Sequence, residues 1–434
     1  MGERYLQEKH VLVVGGGIGG ITAALELASC GVRVTMLEGG PSIGGRMIQL
    51  DKTFPTLDCS SCTLTPKMVE VALHPRIELM TLAKPMGIER NGKGFSVRIR
   101  KRPRFVDMKK CTACGACSGA CVMKGRLSDE FNLRLSKRAA IYIPFPQAVP
   151  QKYLVDGDGC LFVSRGKCKK ACVEACETRA INFDEKEEII ESYYDAIVLA
   201  PGFDLYDAME KREYGYGSLE GVMTGIEFER ICSVTGPTGG EMVINGKTPK
   251  RFYFIQCVGS RDRQTGARFC SRVCCMYTAK HATIVRDRVK DAEIYVSYID
   301  VRAYGKNYEE FYKSTQEGGT YYIRGIPGDI TQGEKGLLVR VEDMLSGELR
   351  EIEADLVVLA TGVRPRKDTA ELCDLLKVDR DEYGFIRTDS IAPSRTSTKG
   401  VFVCGMASGP KDVPDTVATG GEAASRCLEY IGEQ

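Results

Sequence analysis

The 434-residue sequence predicts an α/β protein made of two dinucleotide-binding units with a cysteine-rich insertion. Three observations carry that expectation. The chain opens on a strand, a glycine turn, a helix, a second strand and an acid. A second strand–helix–strand series fills its latter half, and most of the 19 cysteines fall in tight groups.

The opening unit is HVLVVGGGIGGITAALELASCGVRVTMLE, residues 10–38. Residues 11–14 form an apolar run expected as a buried parallel strand, and Gly15, Gly17 and Gly20 then stand in G-x-G-x-x-G register. An apolar helix should run to Ser29, Gly31 should end it, and a strand over 32–37 leads to Glu38. In a Rossmann-like unit one glycine makes the tight turn, one admits a pyrophosphate, and one lets helix and strand pack closely. The phosphates rest on the helix N-terminus and the acid accepts from a ribose hydroxyl. An ordinary glycine turn would explain the glycines without the strands, helix and acid around them.

Composition narrows the function classes. Sixty basic against 58 acidic residues give a formal charge of +2, which points away from nucleic acid and anionic membranes. No apolar run approaches the ~18 residues of a membrane span. The charged start MGERYLQEKH leads straight into the first strand, so no export signal is expected. Grouped cysteines without such a signal suit a reducing, cytoplasmic compartment, where they bind metal or do redox work. His10, His74 and His281 are scattered, and none is assigned to catalysis.

Taken in order, residues 1–102 are the first part of the cofactor domain. They include Cys59 and Cys62 in C-x-x-C spacing and a small β-meander over 77–102 around the turn at Asn91 and Gly92. Cysteines dominate 103–185, an insertion ending in strand character at 180–183. The cofactor domain resumes over 186–235 with a buried strand ending at Ala200-Pro201-Gly202. The second unit, 236–362, has a strand at 251–256, a helix at 274–289, a strand at 292–299, a hairpin-like stretch at 321–353, and a second strand-plus-small-turn ending at Gly362. Residues 363–434 close the chain with a strand at 401–404, a turn at Gly405 and a helix.

This order resembles the thioredoxin-reductase and disulfide-reductase flavoproteins, in which the C-terminal strand, turn and helix return to the first unit and close over FAD. The resemblance implies FAD as the ligand of Gly15, Gly17, Gly20 and Glu38, with Gly45 and Arg46 in the turn before the helix that crosses the flavin. It also implies cofactor contacts at Ala200, Gly202, Gly362 and Gly405, and backbone amides of Val417 and Ala418 at the flavin's far end. Met406 stands after Gly405, where that class usually has an aspartate.

Cys111, Cys114, Cys117 and Cys121 form C-x2-C-x2-C-x3-C, the bacterial ferredoxin spacing, and Cys160, Cys168, Cys172 and Cys176 form a looser second run. Thiolates so spaced send three ligands to one cubane and the fourth to its neighbour. Cys111, Cys114, Cys117 and Cys176 are therefore expected on one 4Fe–4S cluster, and Cys160, Cys168, Cys172 and Cys121 on the other. Zinc is the alternative for such thiols. In the second unit the turn reads Gln256-Cys257-Val258-Gly259-Ser260-Arg261, and a side chain at the first glycine position obstructs NAD(P). Cys257, Cys270, Cys274 and Cys275 are read as ligands of a third cluster near the flavin, against the alternative of buried apolar thiols. Cys59 and Cys62 keep three readings: a redox dithiol facing the flavin, ligands lent to the third cluster, or a structural pair. Cys30, Cys232, Cys373, Cys404 and Cys427 stand alone and are expected in the core.

The stretches QCVGSRD with FCSRVCCMYTAKHA, FPTLDCSSCTLTPKM, and GPKDVPDTVATG resemble the flavoprotein A subunit of heterodisulfide reductase, in a short form without its extra terminal cluster domains. That resemblance implies an oxidoreductase component whose FAD exchanges electron pairs while 4Fe–4S clusters carry single electrons, in some complexes by flavin-based bifurcation. It implies cluster-bearing and substrate-reducing partner subunits, with homo-oligomers inside the complex. Two other readings remain: an NAD(P)H-dependent disulfide reductase working through Cys59 and Cys62, and the flavin subunit of a quinone-interacting oxidoreductase.

Overall fold

The computed structural model describes residues 6–433. The charged start, from which no export signal is expected, lies partly outside the described residues, as does Gln434. The first unit begins with β1 (His10–Val14), α1 (Ile18–Ser29) and β2 (Arg33–Glu38). Val11, Leu12 and Val13 are fully buried, and burial on both faces is what the apolar run required. Gly31, with φ +89°, stops α1 in the left-handed region that a side chain resists. The next elements are α2 (Ser60–Leu73), β3 (Ile77–Thr81), β4 (Ala83–Asn91) and β5 (Gly94–Lys101).

Beyond the insertion lie β6 (Glu188–Tyr194), β7 (Ala196–Leu199), β8 (Val222–Thr224), α3 (Gly225–Cys232) and β9 (Arg251–Val258). They are followed by α4 (Cys274–Arg288), β10 (Glu293–Tyr298), β11 (Tyr321–Arg324), β12 (Leu356–Thr361), β13 (Val401–Val403) and α5 (Val413–Gly432). Two five-stranded parallel sheets result, in the orders β13-β7-β1-β2-β3 and β8-β12-β9-β10-β11. α5 returns to α1 over small residues: a Cβ on Gly420 would lie 2.8 Å from the Gly19 carbonyl oxygen. This close approach seals the two ends of the chain into one unit.

Several boundaries differ from the sequence expectation. β3 completes the first parallel sheet, and the antiparallel meander is β6-β5-β4. Residues 180–183 form no strand; a single bridge joins Ile181 to Val106, and β6 supplies the returning strand. The second unit starts before residue 236, because β8 pairs with β12 and α3 follows it. Within 321–353, β11 joins the second parallel sheet, and a separate antiparallel sheet takes Asp329–Gln332, Leu337–Asp343 and Glu348–Ala354. In each case an alternating or short apolar segment fits either sheet, and the long-range pairing decides.

Lys101 and Glu188 are register partners, so the insertion leaves and re-enters the β5–β6 ladder at one point. Its own core is small, with Val106, Ala140, Ile141, Val155 and Ala180 packed among cysteines. A domain with so little apolar core draws stability from cross-links or metal.

Candidate functional site

A cleft of about 1830 Å³ runs between the first unit's turn, the insertion and the second unit. Sites for drug-sized ligands hold roughly 300–1,000 Å³, so this one suits a larger molecule. At its floor each fingerprint glycine has its own reason. Gly15 has φ +115°, and a Cβ there would lie 2.1 Å from the Ala200 carbonyl oxygen. A Cβ on Gly20 would meet the Gly15 carbonyl oxygen at 2.0 Å, so α1 could not pack on β1. Gly17 caps α1 and has no atom within 4 Å of its Cβ position; that space opens on the cleft. Glu38 accepts from the amides of Gly16 at 2.9 Å and Gly40 at 2.7 Å, and its oxygens keep lone pairs for a further donor.

Around this floor the structure gathers most of the expected contacts. Gly45 touches the fingerprint turn, its Cβ position 2.9 Å from Gly17 Cα. Arg46, whose guanidinium pKa burial lowers, lies 3.7 Å from Asp204. Ala200, Gly202 and Gly405 line the same cleft. Three expected contacts do not. Gly362 packs into the second unit, its Cβ position 2.7 Å from Ser260 Cβ, and its neighbours Thr361 and Val363 face the cleft instead. Val417 and Ala418 lie past the first four residues of α5, where amides are spent on the helix's own bonds. The cleft meets α5 one turn earlier, at Val413, Asp415 and Thr416. The cradle fits a dinucleotide by its glycine clearances and by the carboxylate poised beside the turn.

The cysteine runs come together as two sets. The Cys117 thiol is pushed up to about 12, first by burial and then by its neighbours Cys111, Cys176 and Cys114. Cys172 is raised to about 11 by burial and by Cys121, Cys160 and Cys168. Those last four thiols also line one small cavity with Phe162 and Lys170. Cys176 thus stands with the first run and Cys121 with the second. Among the described residues no three His, Cys, Asp or Glu side chains stand close enough to share one metal ion. A cubane's thiolates each bond a different iron and need not converge on one ion.

The second unit repeats the crossover with other side chains. Cys257 stands at the first glycine position with φ +60°. Gly259 is at the second, where the Tyr206 ring fills the pyrophosphate's approach, 2.2 Å from the Cβ position. Burial, followed by Cys275, raises Cys257 to about 12, with Cys270 also adjacent. Burial, then Cys257, Cys275 and Cys270, raise Cys274 well above the ordinary thiol value. All four converge at the N-terminus of α4. Both members of the neighbouring pair are buried, and Cys275 Sγ donates to Gln256 Oε1 at 3.4 Å.

Cys59 and Cys62 form a disulfide at the start of α2, where the Cys62 amide donates to Cys59 Sγ at 3.2 Å. Neither lines the cleft, although their neighbours Asp58 and Thr63 do. Cys232, Cys373, Cys404 and Cys427 are buried as expected; Cys30, at the end of α1, is exposed.

Sequence reasoning missed the second unit's face on the cleft. Arg272 pairs with Asp415 at 2.8 Å, and Tyr277 donates to the Thr361 carbonyl at 3.2 Å while lying beside Cys274. Lys280 bonds the Lys52 carbonyl at 2.8 Å and pairs with buried Glu229. The signal was available only as the sequence CCMYTAKH, where Tyr277 and Lys280 follow the cysteines by about one and two helical turns on the same helix.

Residues 13–66 match the NAD(P)-binding Rossmann-like domain family, and residues 327–424 the pyridine nucleotide-disulphide oxidoreductase family. The iron-sulfur A subunit of the CoB–CoM heterodisulfide reductase of Methanocaldococcus jannaschii is 46% identical over 96% of this chain and 64% of its own length. A protein of Archaeoglobus profundus, named as like the heterodisulfide reductase A subunit, is 40% identical over 99% of this chain and 67% of its own. Of the first relatives, then, the chain spans a little under two thirds. Among solved structures, Lactococcus lactis thioredoxin reductase superposes with a TM-score of 0.54 at 15% identity, covering 98% of this chain and all of that one. At that identity the likeness shows the fold.

Proposed function

The chain belongs to the family of heterodisulfide reductase A subunits, and from that premise we propose that it is an FAD- and iron–sulfur-bearing electron-transfer component of a heterodisulfide-reductase-like complex. When bound, FAD supplies a two-electron centre and 4Fe–4S clusters supply one-electron centres. Gly15, Gly17, Gly20 and Glu38 hold the dinucleotide, with Gly45, Arg46, Ala200, Gly202 and Gly405 along it. Cys111, Cys114, Cys117 and Cys176 hold one cluster, Cys121, Cys160, Cys168 and Cys172 a second, and Cys257, Cys270, Cys274 and Cys275 a third.

One observation carries the reading: α4 presents Cys274 to the thiol set, and Tyr277, which lies beside Cys274, lines the cleft, so one side chain touches both sites. Tyr277 excludes water there. Gln256 Nε2, buried beside Cys275 without a hydrogen-bond partner among the described residues, would find an acceptor in a cluster sulfide. The positive end of α4 favours thiolates at its first residues. Partner subunits supply the terminal donor and acceptor, and bifurcation would belong to the assembled complex.

The test is anaerobic purification followed by release of the flavin and mixing with NADH or NADPH. One FAD per chain, not bleached promptly by either nucleotide, agrees with the proposal. Release of NAD, or prompt bleaching without a partner, would instead favour a nicotinamide-dependent disulfide reductase.

A further inference from the structure

Two buried polar side chains beside the third thiol set end without a hydrogen-bond partner. Gln256 is 4% exposed and immediately precedes Cys257. Its Oε1 accepts from Cys275 Sγ at 3.4 Å, while its Nε2 is buried with no partner among the described residues. Thr278 is fully buried, and its hydroxyl has no partner among them either. Buried donors left in this state are costly, so each calls for an acceptor.

The Thr278 hydroxyl is turned away from the usual helical acceptor. Thr22, Thr63, Thr65, Thr283 and Thr419 each donate to the carbonyl four residues back, at 2.6–3.1 Å. Thr278 has the Cys274 carbonyl in that place and does not donate to it. At about 100° per residue, Thr278 stands between Cys274 and Cys275 around α4, and its side chain leans towards their turn. Tyr277 and Lys280, which line the cleft, lie on the other side of Cys274.

The Gln256 amide can serve either state of Cys275. A thiol gives its proton to Oε1, but a metal-bound thiolate has none to give. Turning the amide over then exchanges Oε1 for Nε2 and puts an N–H on the same sulfur. The insertion serves its thiols differently. Backbone amides of Ala180 and Lys170 donate to Cys176 and Cys168 at 3.3 and 3.4 Å. Among the described residues, no buried unpartnered side-chain atom falls within 103–185. The third set has a backbone donor too, Arg272 to Cys270 at 3.3 Å, and the two side chains come in addition.

We propose that Gln256 and Thr278 donate hydrogen bonds to sulfurs of the third cluster and thereby raise its reduction potential. This rests on the proposed cluster at Cys257, Cys270, Cys274 and Cys275. The step concerned adds one electron to the cluster, with no bond made or broken and no proton moved. That electron adds negative charge, which donors to the sulfurs stabilise.

Redox titration of the whole, anaerobically purified protein, followed by electron paramagnetic resonance, tests this. The third cluster's signal is the one missing from Cys257→Ser/Cys270→Ser. Gln256→Leu/Thr278→Val should lower its equilibrium constant for reduction about tenfold, ~59 mV for one electron, and move the insertion's clusters less than about twofold. Either single substitution should lower it about threefold, and Gln256→Leu/Thr278→Ser, which restores the hydroxyl, should match Gln256→Leu alone. If the double variant loses the third cluster's iron, the single variants carry the test. An unchanged midpoint with iron retained overturns the proposal. So does an equal shift of all clusters, or a threonine effect that serine does not reverse. Loss of that iron from both single variants also overturns it, because the two side chains would then be structural. A wild type with no more iron than Cys257→Ser/Cys270→Ser refutes instead the cluster assignment itself.

Discussion

The two strand–turn–helix crossovers of this molecule are built alike and filled differently. In the first, Gly15 folds back on Ala200, Gly20 admits the helix, and the space over Gly17 is open. In the second, Cys257 takes the tight-turn position at φ +60°, and the Tyr206 ring occupies the approach to Gly259. Asp262, at the third glycine's place, pairs with Lys211 at 2.7 Å. One crossover is left clear for phosphates, while in the other the phosphate seat is closed and thiols gather in its crevice. The crevice at a sheet's C-terminal edge is a site by topology, and the side chains at three or four positions decide what occupies it.

The sharpest way to break the comparison is Gly17→Val. The backbone there has φ −78° and nothing crowds the Cβ, so folding should be intact while FAD content falls about tenfold or more. Absorbance of the purified variant checks this, and retained flavin would mean that the open space is not the phosphate seat. Cys168→Ser separates the insertion from the second unit: it should cost one cluster's iron, about four atoms per chain, and leave the others. Iron analysis decides.

The buried contact between the units is next. Glu229 is fully buried with Lys280 and His281, and its backbone-side partner is the Asp51 amide at 2.9 Å. Burial alone would raise its carboxyl, but Lys280 and His281 outweigh it and hold the group down at about 2. A carboxyl held below its unfolded value of ~4.3 contributes stability that is full above that pH. The contribution is lost as pH falls towards 2. Glu229→Gln should therefore lower stability at neutral pH by about 3–5 kcal/mol and flatten the acid limb between ~4.3 and 2. Denaturant melts across pH measure both; an unchanged acid limb would place the acid sensitivity elsewhere.

The smallest effect is expected from Arg230→Met. Arg230 is fully buried, donates to Asn132 Oδ1 at 2.9 Å and the Gln49 carbonyl at 3.1 Å, and lies 4.7 Å from the Phe131 ring centre. It thereby ties the second unit to both the insertion and the first unit. Its loss leaves these two acceptors, and Thr235 Oγ1 at 3.2 Å, without this donor and should cost about 1–3 kcal/mol. Thermal unfolding in which the insertion melts earlier than in wild type would confirm the tie; an unchanged melt would refute it.

What the sequence made legible was local. The glycine turn with Glu38 beside it was legible because one turn and one helix fix the spacing of Gly15, Gly17 and Gly20, and the gathering of Cys176 with the first cysteine run and Cys121 with the second because it follows from the spacing of each run. The misses were long-range. Ile77–Thr81 reads as well in a meander as in a parallel sheet, and only pairing with Arg33–Glu38 decides. Gly362 shares a motif with Gly202 but faces Ser260 and Ser271, because the second crossover occupies its other side. Val417 and Ala418 lie outside the cleft lining, which meets α5 at Val413, Asp415 and Thr416 behind its Asp412 cap. Arg230 and Glu229 carry no motif at all, and their roles exist only where the modules meet.

The proposed third cluster would occupy the second crossover, where a strand–turn–helix crossover with an intact glycine fingerprint seats a nucleotide. Iron content of the wild type and of Cys257→Ser/Cys270→Ser, measured side by side on anaerobically purified protein with FAD as the internal standard, tests it most directly. About twelve irons per FAD in the wild type and about eight in the variant is the predicted result. Equal iron in the two proteins would contradict it, and those four cysteines would then be core.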